Sequence, residues 1–63
     1  MHTENRMAVP ADEGAKLLGV PRSRIWDLIK QGQIASFKIG RRRMVATSEL
    51  RRFIDRQAAE AQR

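Results

Sequence analysis

The sequence predicts a mainly helical domain carrying one small β-hairpin, with its elements in the order α-α-β-β-α. Three observations carry that prediction. Two short apolar stripes at helical spacing are each opened by a proline and closed by a glycine. The period then changes from helical to alternating around Gly40, and a third helical stripe begins near Thr47. Sixty-three residues leave room for one domain. It divides into a loose polar leader over 1–7, a folded unit over 8–56 and a fraying helical tail over 57–63.

The first helix opens at Val9-Pro10, since proline suits a first helical turn, where its missing N–H would be unpaired anyway. Asp12 and Glu13 complement the positive end of the helix dipole. Ala11, Ala15 and Leu18 form one stripe, widened by Leu17. Gly14 inside this helix costs about 1 kcal/mol relative to alanine. It is either simply tolerated or marks the close approach of another helix. Gly19 is the left-handed stop. The second helix starts at Pro21 and stops at Gly32, with Ile25, Leu28 and Ile29 as its apolar face and Val20 packing just before it. Two helices, roughly 10–18 and 21–31, joined by a glycine-containing turn form a helix-turn-helix. In the stretch from Ile34 to Ile39, Phe37 and Ile39 fall on one face, read as a core face, with Lys38 opposite. Arg43-Met44-Val45 returns after a tip at Gly40-Arg41-Arg42, which makes a hairpin. Thr47 or Ser48 caps the third helix, whose core face is Leu50, Phe53 and Ile54.

Composition narrows the function. A chain near 60 residues buries only about 60% of its unfolded surface, so its core is marginal and needs help from a disulfide, a metal or a partner. Cysteine is absent and the one histidine is His2, which leaves no disulfide and no cysteine or histidine metal site. No cofactor is expected. Without tyrosine, or a histidine in the body of the chain, catalysis is not expected either. There is no run of 18 apolar residues and no apolar stretch in Met1 to Met7, so the expectation is a cytoplasmic protein with no membrane partner.

The net charge is +6, and its placement is uneven. Residues 22–43 hold Arg22, Arg24, Lys30, Lys38, Arg41, Arg42 and Arg43 against Asp27 alone, while both flanks are close to balance. A surplus kept for solubility would be spread out; one gathered on a helix and a hairpin tip points to nucleic acid. On a helical wheel Ser23, Asp27 and Lys30 lie opposite the apolar face, Arg24 and Trp26 flank it, and Arg22 stands at the N-terminal edge. A helix in the major groove reads bases with its N-terminal residues, which makes Arg22, Ser23 and Arg24 the first candidates. Lys30, further along, suits a phosphate. Asp27 either accepts a hydrogen bond from cytosine N4 or orients Arg24 or Lys30, the latter being favoured. Trp26 either gives its indole N–H to a phosphate or packs as partly buried core. Arg41, Arg42 and Arg43 at the hairpin tip, with Lys38 beside them, would cross phosphates or enter a narrow minor groove. Strand alternation sends Arg42 to the face opposite Arg41 and Arg43.

The run Leu17-Leu18-Gly19-Val20-Pro21-Arg22-Ser23-Arg24-Ile25-Trp26 resembles the excisionase-type winged helix-turn-helix domain, the compact relative of the MerR-type DNA-binding domain. So do Leu28-Ile29, Gly32, Lys38-Ile39-Gly40-Arg41-Arg42-Arg43, Ser48-Glu49-Leu50 and Phe53. The resemblance spans about residues 8–56. Pro10 and Pro21 stand where that family usually places a Ser or Thr cap. The resemblance implies a phage or plasmid recombination directionality factor acting in a bacterial host. Such a protein does no chemistry. It binds attachment-site double-stranded DNA as several adjacent copies, bends it, and helps an integrase assemble the excisive complex. Met44, Leu17 and Ala58-Ala59-Ala61 are weak candidates for contacts between copies, against core or solvent-facing roles.

Two other classes are weighed against this. A small winged helix-turn-helix transcription regulator of phage or plasmid genes would dimerise on an inverted repeat, and the chain lacks the usual long dimerisation helix. An RNA-binding protein would stack bases on exposed aromatics. Trp26, Phe37 and Phe53 are the only aromatics, and both phenylalanines are read as core.

Overall fold

A computed structural model of the chain describes residues 6–62. His2 and the first five residues of the expected leader lie outside the described residues, as does Arg63. The elements are β1 (Ala8–Pro10), α1 (Ala11–Leu18), α2 (Arg22–Lys30), β2 (Phe37–Ile39), β3 (Arg42–Ala46) and α3 (Thr47–Ala61). This is a winged helix-turn-helix with one strand more than expected. The strands form a single antiparallel sheet in the order β1-β3-β2.

The added strand corrects the start of the domain. Ala8, Val9 and Pro10 are a strand that pairs with Ala46, Val45 and Met44 of β3, and the helix expected to open at Val9-Pro10 begins at Ala11 with Pro10 as its N-cap. Three residues that include a proline show no strand period, so local pattern could not reveal β1. Proline is admissible there because β1 is an edge strand. Pro10 and Pro21 are N-cap residues, each one position ahead of the first helical turn, and neither helix has a side-chain cap bond.

The two helix stops behave as expected. Gly19 has φ +77°, and the Gly19 and Val20 N–H groups donate to the carbonyls of Lys16 and Ala15. That pair of bonds is a Schellman motif. It satisfies the end of α1 and turns the chain into α2 through only Gly19, Val20 and Pro21. Gly32 repeats the arrangement, with Gly32 and Gln33 donating to Ile29 and Leu28.

The core is Val9, Ala11, Ala15, Ile25, Leu28, Ile34, Val45 and Leu50, all buried, with Leu18, Val20, Trp26, Ile29 and Phe53 packed around it. It lies between the helices and the Val9–Val45 face of the sheet. Ile34, expected in a strand, fills the core from the loop before β2. Four apolar assignments are overturned, and one is Leu17, which is exposed at the side of the α1 stripe it was expected to widen. Phe37 is 42% exposed and Ile39 58%, because the register that pairs them with Met44 and Arg42 sets them on the sheet face away from Val45. Ile54 is 48% exposed, past the edge of the small core. Residues 57–61 continue α3 with every side chain exposed. No helix among the described residues is long and apolar enough to cross a membrane.

Thr47 and Ser48 do not cap α3. The N-cap is Ala46, with no side-chain bond, and Thr47 is the first helical residue. The Thr47 N–H donates to the Met7 carbonyl at 2.9 Å. Its hydroxyl proton is shared between the carbonyls of Arg6 (2.8 Å) and Met7 (3.2 Å). Thr47 therefore extends the β1–β3 ladder and ties down the chain just ahead of β1.

Gly14 is buried against α3, but a Cβ there would meet the Leu50 methyls at 3.7 Å and Val9 at 3.9 Å, which is ordinary contact. Tolerance, not enforced close approach, explains the glycine. Gly14→Ala should therefore stabilise the fold by about 0.5–1 kcal/mol, through helix propensity and a less flexible unfolded chain. In a domain of this size a thermal melt should rise by about 2–8 °C. A lower melting temperature would mean that Leu50 cannot accept the methyl group.

Candidate nucleic-acid interface

α2 buries Ile25 and Leu28 and half-buries Trp26 and Ile29, which leaves Arg22, Ser23, Arg24, Asp27 and Lys30 exposed along its outer side. Apart from Trp26, the helix residues singled out in the sequence thus share one solvent-facing surface. Arg24 and Lys30 form no ion pair among the described residues. Asp27 pairs with neither of them, so the favoured reading of Asp27 as their orienting partner does not hold. Trp26 is partly buried against the core, the second of its two readings, and it also lines a surface groove.

The wing is β2, β3 and the two-residue turn Gly40-Arg41, closed by the pair Ile39 and Arg42. Gly40 has φ +63° and no other residue type takes a positive φ among the described residues. This is the glycine-first pattern of a type II′ hairpin turn. Arg41 therefore sits in the turn itself, while Arg42 and Arg43 alternate across β3 as expected. Lys38 stands directly opposite Arg43 in the ladder. Like charges placed directly opposite destabilise a strand pair, by roughly 0.2–1 kcal/mol. Arg43 shares its face of β3 with the buried Val45, so Lys38 and Arg43 extend the core-facing side of the sheet outward, beside the helices.

There the wing and the helices enclose an open groove of about 470 Å³. Lys38, Arg41, Arg42 and Arg43 line it from the wing, and Trp26 and Asp12 from the helices. Alternation does not keep Arg42 out of this wall, so all three tip arginines meet in one place. None of the four wing cations has an ion-pair partner among the described residues. Ser23, Arg24 and Lys30 lie elsewhere on α2, outside the groove lining.

Among the cations of α2 and the wing, Arg22 alone has an ion-pair partner among the described residues. Its Nε lies 2.9 Å from Asp12 Oδ1 in an ion pair that links the first residue of α2 to the first turn of α1. Both side chains are more than half exposed, so the pair contributes at most a few tenths to 1 kcal/mol to stability. In the sequence Asp12 is legible only as a dipole partner of α1. Its link to Arg22 bridges ten positions through the turn, a spacing that no helical or strand period marks.

The root of the wing is held by α3. Arg56 Nη2 donates to the Gln33 carbonyl at 2.7 Å, and the Ala35 N–H donates to Glu49 Oε1 at 3.4 Å. The Arg56 guanidinium also lies 5.9 Å from the centre of the Phe53 ring. These bonds fix the segment between α2 and β2, so the wing is set relative to α2 and does not hang from a free loop.

This geometry, an exposed polar helix face beside a groove walled by four cations, agrees with what comparison returns. A family described as a helix-turn-helix domain matches residues 11–58, from the first residue of α1 into the last turn of α3. No curated protein and no solved structure matches the chain. The family match takes in both helices of the motif, the whole wing and most of α3, and so the chain belongs to the helix-turn-helix domain family, a DNA-binding family.

Proposed function

We propose that this protein is a sequence-specific double-stranded DNA-binding and DNA-bending excisionase. In this role it is a recombination directionality factor that loads as adjacent copies on attachment-site DNA and promotes integrase-mediated prophage excision. It is not an enzyme: its work is to bind and shape DNA. The observation that carries the DNA-shaping role is the wing. Lys38 and Arg43 face each other across the ladder at a cost to the fold, with Arg41 and Arg42 beside them, and none of the four has an ion-pair partner among the described residues. A phosphate backbone in the groove supplies the missing negative charge.

In this reading Arg22, Ser23 and Arg24 at the start of α2 meet base edges, Lys30 meets a phosphate, and Trp26 borders the strand that runs between helix and wing. Asp27, free of Arg24 and Lys30, is left to accept from cytosine N4. The exposed Phe37 and Ile39 give the wing apolar groups beside its arginines, the combination that DNA-bending proteins use in the minor groove. The exposed end of α3, with Ile54 and Ala58 to Ala61, offers a surface to a neighbouring copy or to the integrase.

Selection of binding sites from a random duplex library near physiological salt tests the reading. Tandem direct repeats at regular spacing are expected. A single inverted repeat would instead indicate a symmetric dimer, and hence the transcription regulator built on the same domain.

Replacing Arg41, Arg42 and Arg43 by alanine should weaken binding to all duplexes alike. The log–log salt dependence should flatten by about 0.9 for each phosphate that the wing no longer neutralises. An unchanged slope would remove the wing from the interface. Arg24→Ala should relax preference at one base position, reducing discrimination there by about 1–3 kcal/mol. Uniform weakening across sequences would reassign Arg24 to a phosphate.

A further inference from the structure

We propose that Asp12 determines specificity at this interface, although it is an acid facing a polyanion. The proposal rests on the DNA-binding reading of the α2–wing surface and names a residue that the reading does not use. Asp12 is placed at a junction: it holds Arg22 at the start of α2, at 2.9 Å, and it lines the groove shared with Lys38, Arg41, Arg42 and Arg43. The other acid of the same helical turn, Glu13, faces Arg6 at 3.8 Å and does not line the groove.

The pairing acts in two ways. The ion pair closes at Nε, so the Nη hydrogens of Arg22 stay available for a bidentate contact while the carboxylate draws the guanidinium toward α1. A freely moving arginine at a helix N-terminus would settle on any nearby phosphate, which adds affinity without discrimination. The carboxylate also repels phosphate where the charge of the wing is greatest. Asp12 thus lowers binding to every sequence and keeps Arg22 for a base edge. Since the pair is exposed and the α1–α2 contact is already made by Ala11, Ala15, Ile25 and Leu28, its role is not to hold the helices together.

The experiment compares the 63-residue chain with its Asp12→Asn, Glu13→Gln, Arg22→Ala and Asp12→Asn/Arg22→Ala variants. Binding is measured to the duplex enriched by selection and to a scrambled duplex of the same length, across a fourfold range of salt. Thermal melts confirm that each variant folds. Asp12→Asn should bind the scrambled duplex more tightly. Its salt slope on that duplex should steepen by about 0.9, roughly a further threefold loss of affinity over the fourfold rise in salt. The ratio of selected to scrambled affinity should fall several-fold. Glu13→Gln, which removes the same charge from the same turn, should leave that ratio unchanged, and in the Arg22→Ala background Asp12→Asn should no longer steepen the slope. Equal tightening on both duplexes, or an equal fall in the ratio for Glu13→Gln, would reduce Asp12 to bulk charge and overturn the proposal. A wild-type chain with no preference for any duplex would overturn the sequence-specific reading and this proposal with it. Enrichment of an inverted repeat would replace the excisionase role and leave the Asp12 test standing.

Discussion

The pairing of β1 with β3 is the constraint on which the rest of the molecule depends. A two-stranded hairpin alone is marginal in water. Here β3 is shared: β1 covers one edge and β2 the other, and Val9 against Val45 plants the centre of the sheet in the core. Thr47 extends the β1 side by binding the carbonyls of Arg6 and Met7 at the point where α3 begins. The strand that anchors the sheet is thus also the strand that carries Arg42 and Arg43 outward. Whatever fixes Val45 fixes the orientation of the wing.

That coupling matters because the core is so small. Eight buried side chains hold six elements, with only partly buried neighbours around them. Such a core cannot offset badly placed charge in many places, yet the molecule concentrates on one side cations that have no ion-pair partner among the described residues. They are carried where the fold is best braced: on a strand tied to the core, and on a hairpin whose root is bonded to α3 through Arg56 and Glu49. The balanced elements, α1 and α3, keep their ion pairs local or use them as staples. Stability and binding are separated in space, and the cost of like charges opposed across the ladder falls on the most firmly anchored part of the sheet.

The helix-turn-helix itself was readable because its punctuation is local. Gly19 and Gly32 take positive φ, which glycine adopts freely, and each closes its helix through bonds to residues three and five positions back. Gly40 sets the hairpin turn by the same property, so the tip arginines could be located from sequence. The charge gathered in residues 22–43 was legible by counting. Sequence pattern and structure part where burial decides. Phe37 and Ile39 alternate like a half-buried strand, but with one sheet and helices on one side of it, apolar alternation does not say which face is covered. Ile54 continues a helical stripe beyond the reach of the core. Thr47 has the chemistry of a cap, but the carbonyls it binds come from about forty residues away.

The sequence by itself determined where helices stop, where the hairpin turns and where the positive charge lies, because backbone preference and composition act over a few neighbouring residues. Only the tertiary structure decided that residues 8–10 are a strand and that Lys38 and Arg43 share the groove wall with Arg41 and Arg42. It alone placed Asp12 against Arg22. Each of these needs the chain to return on itself, and the partner in each case is chosen by packing on the core, which no local pattern encodes.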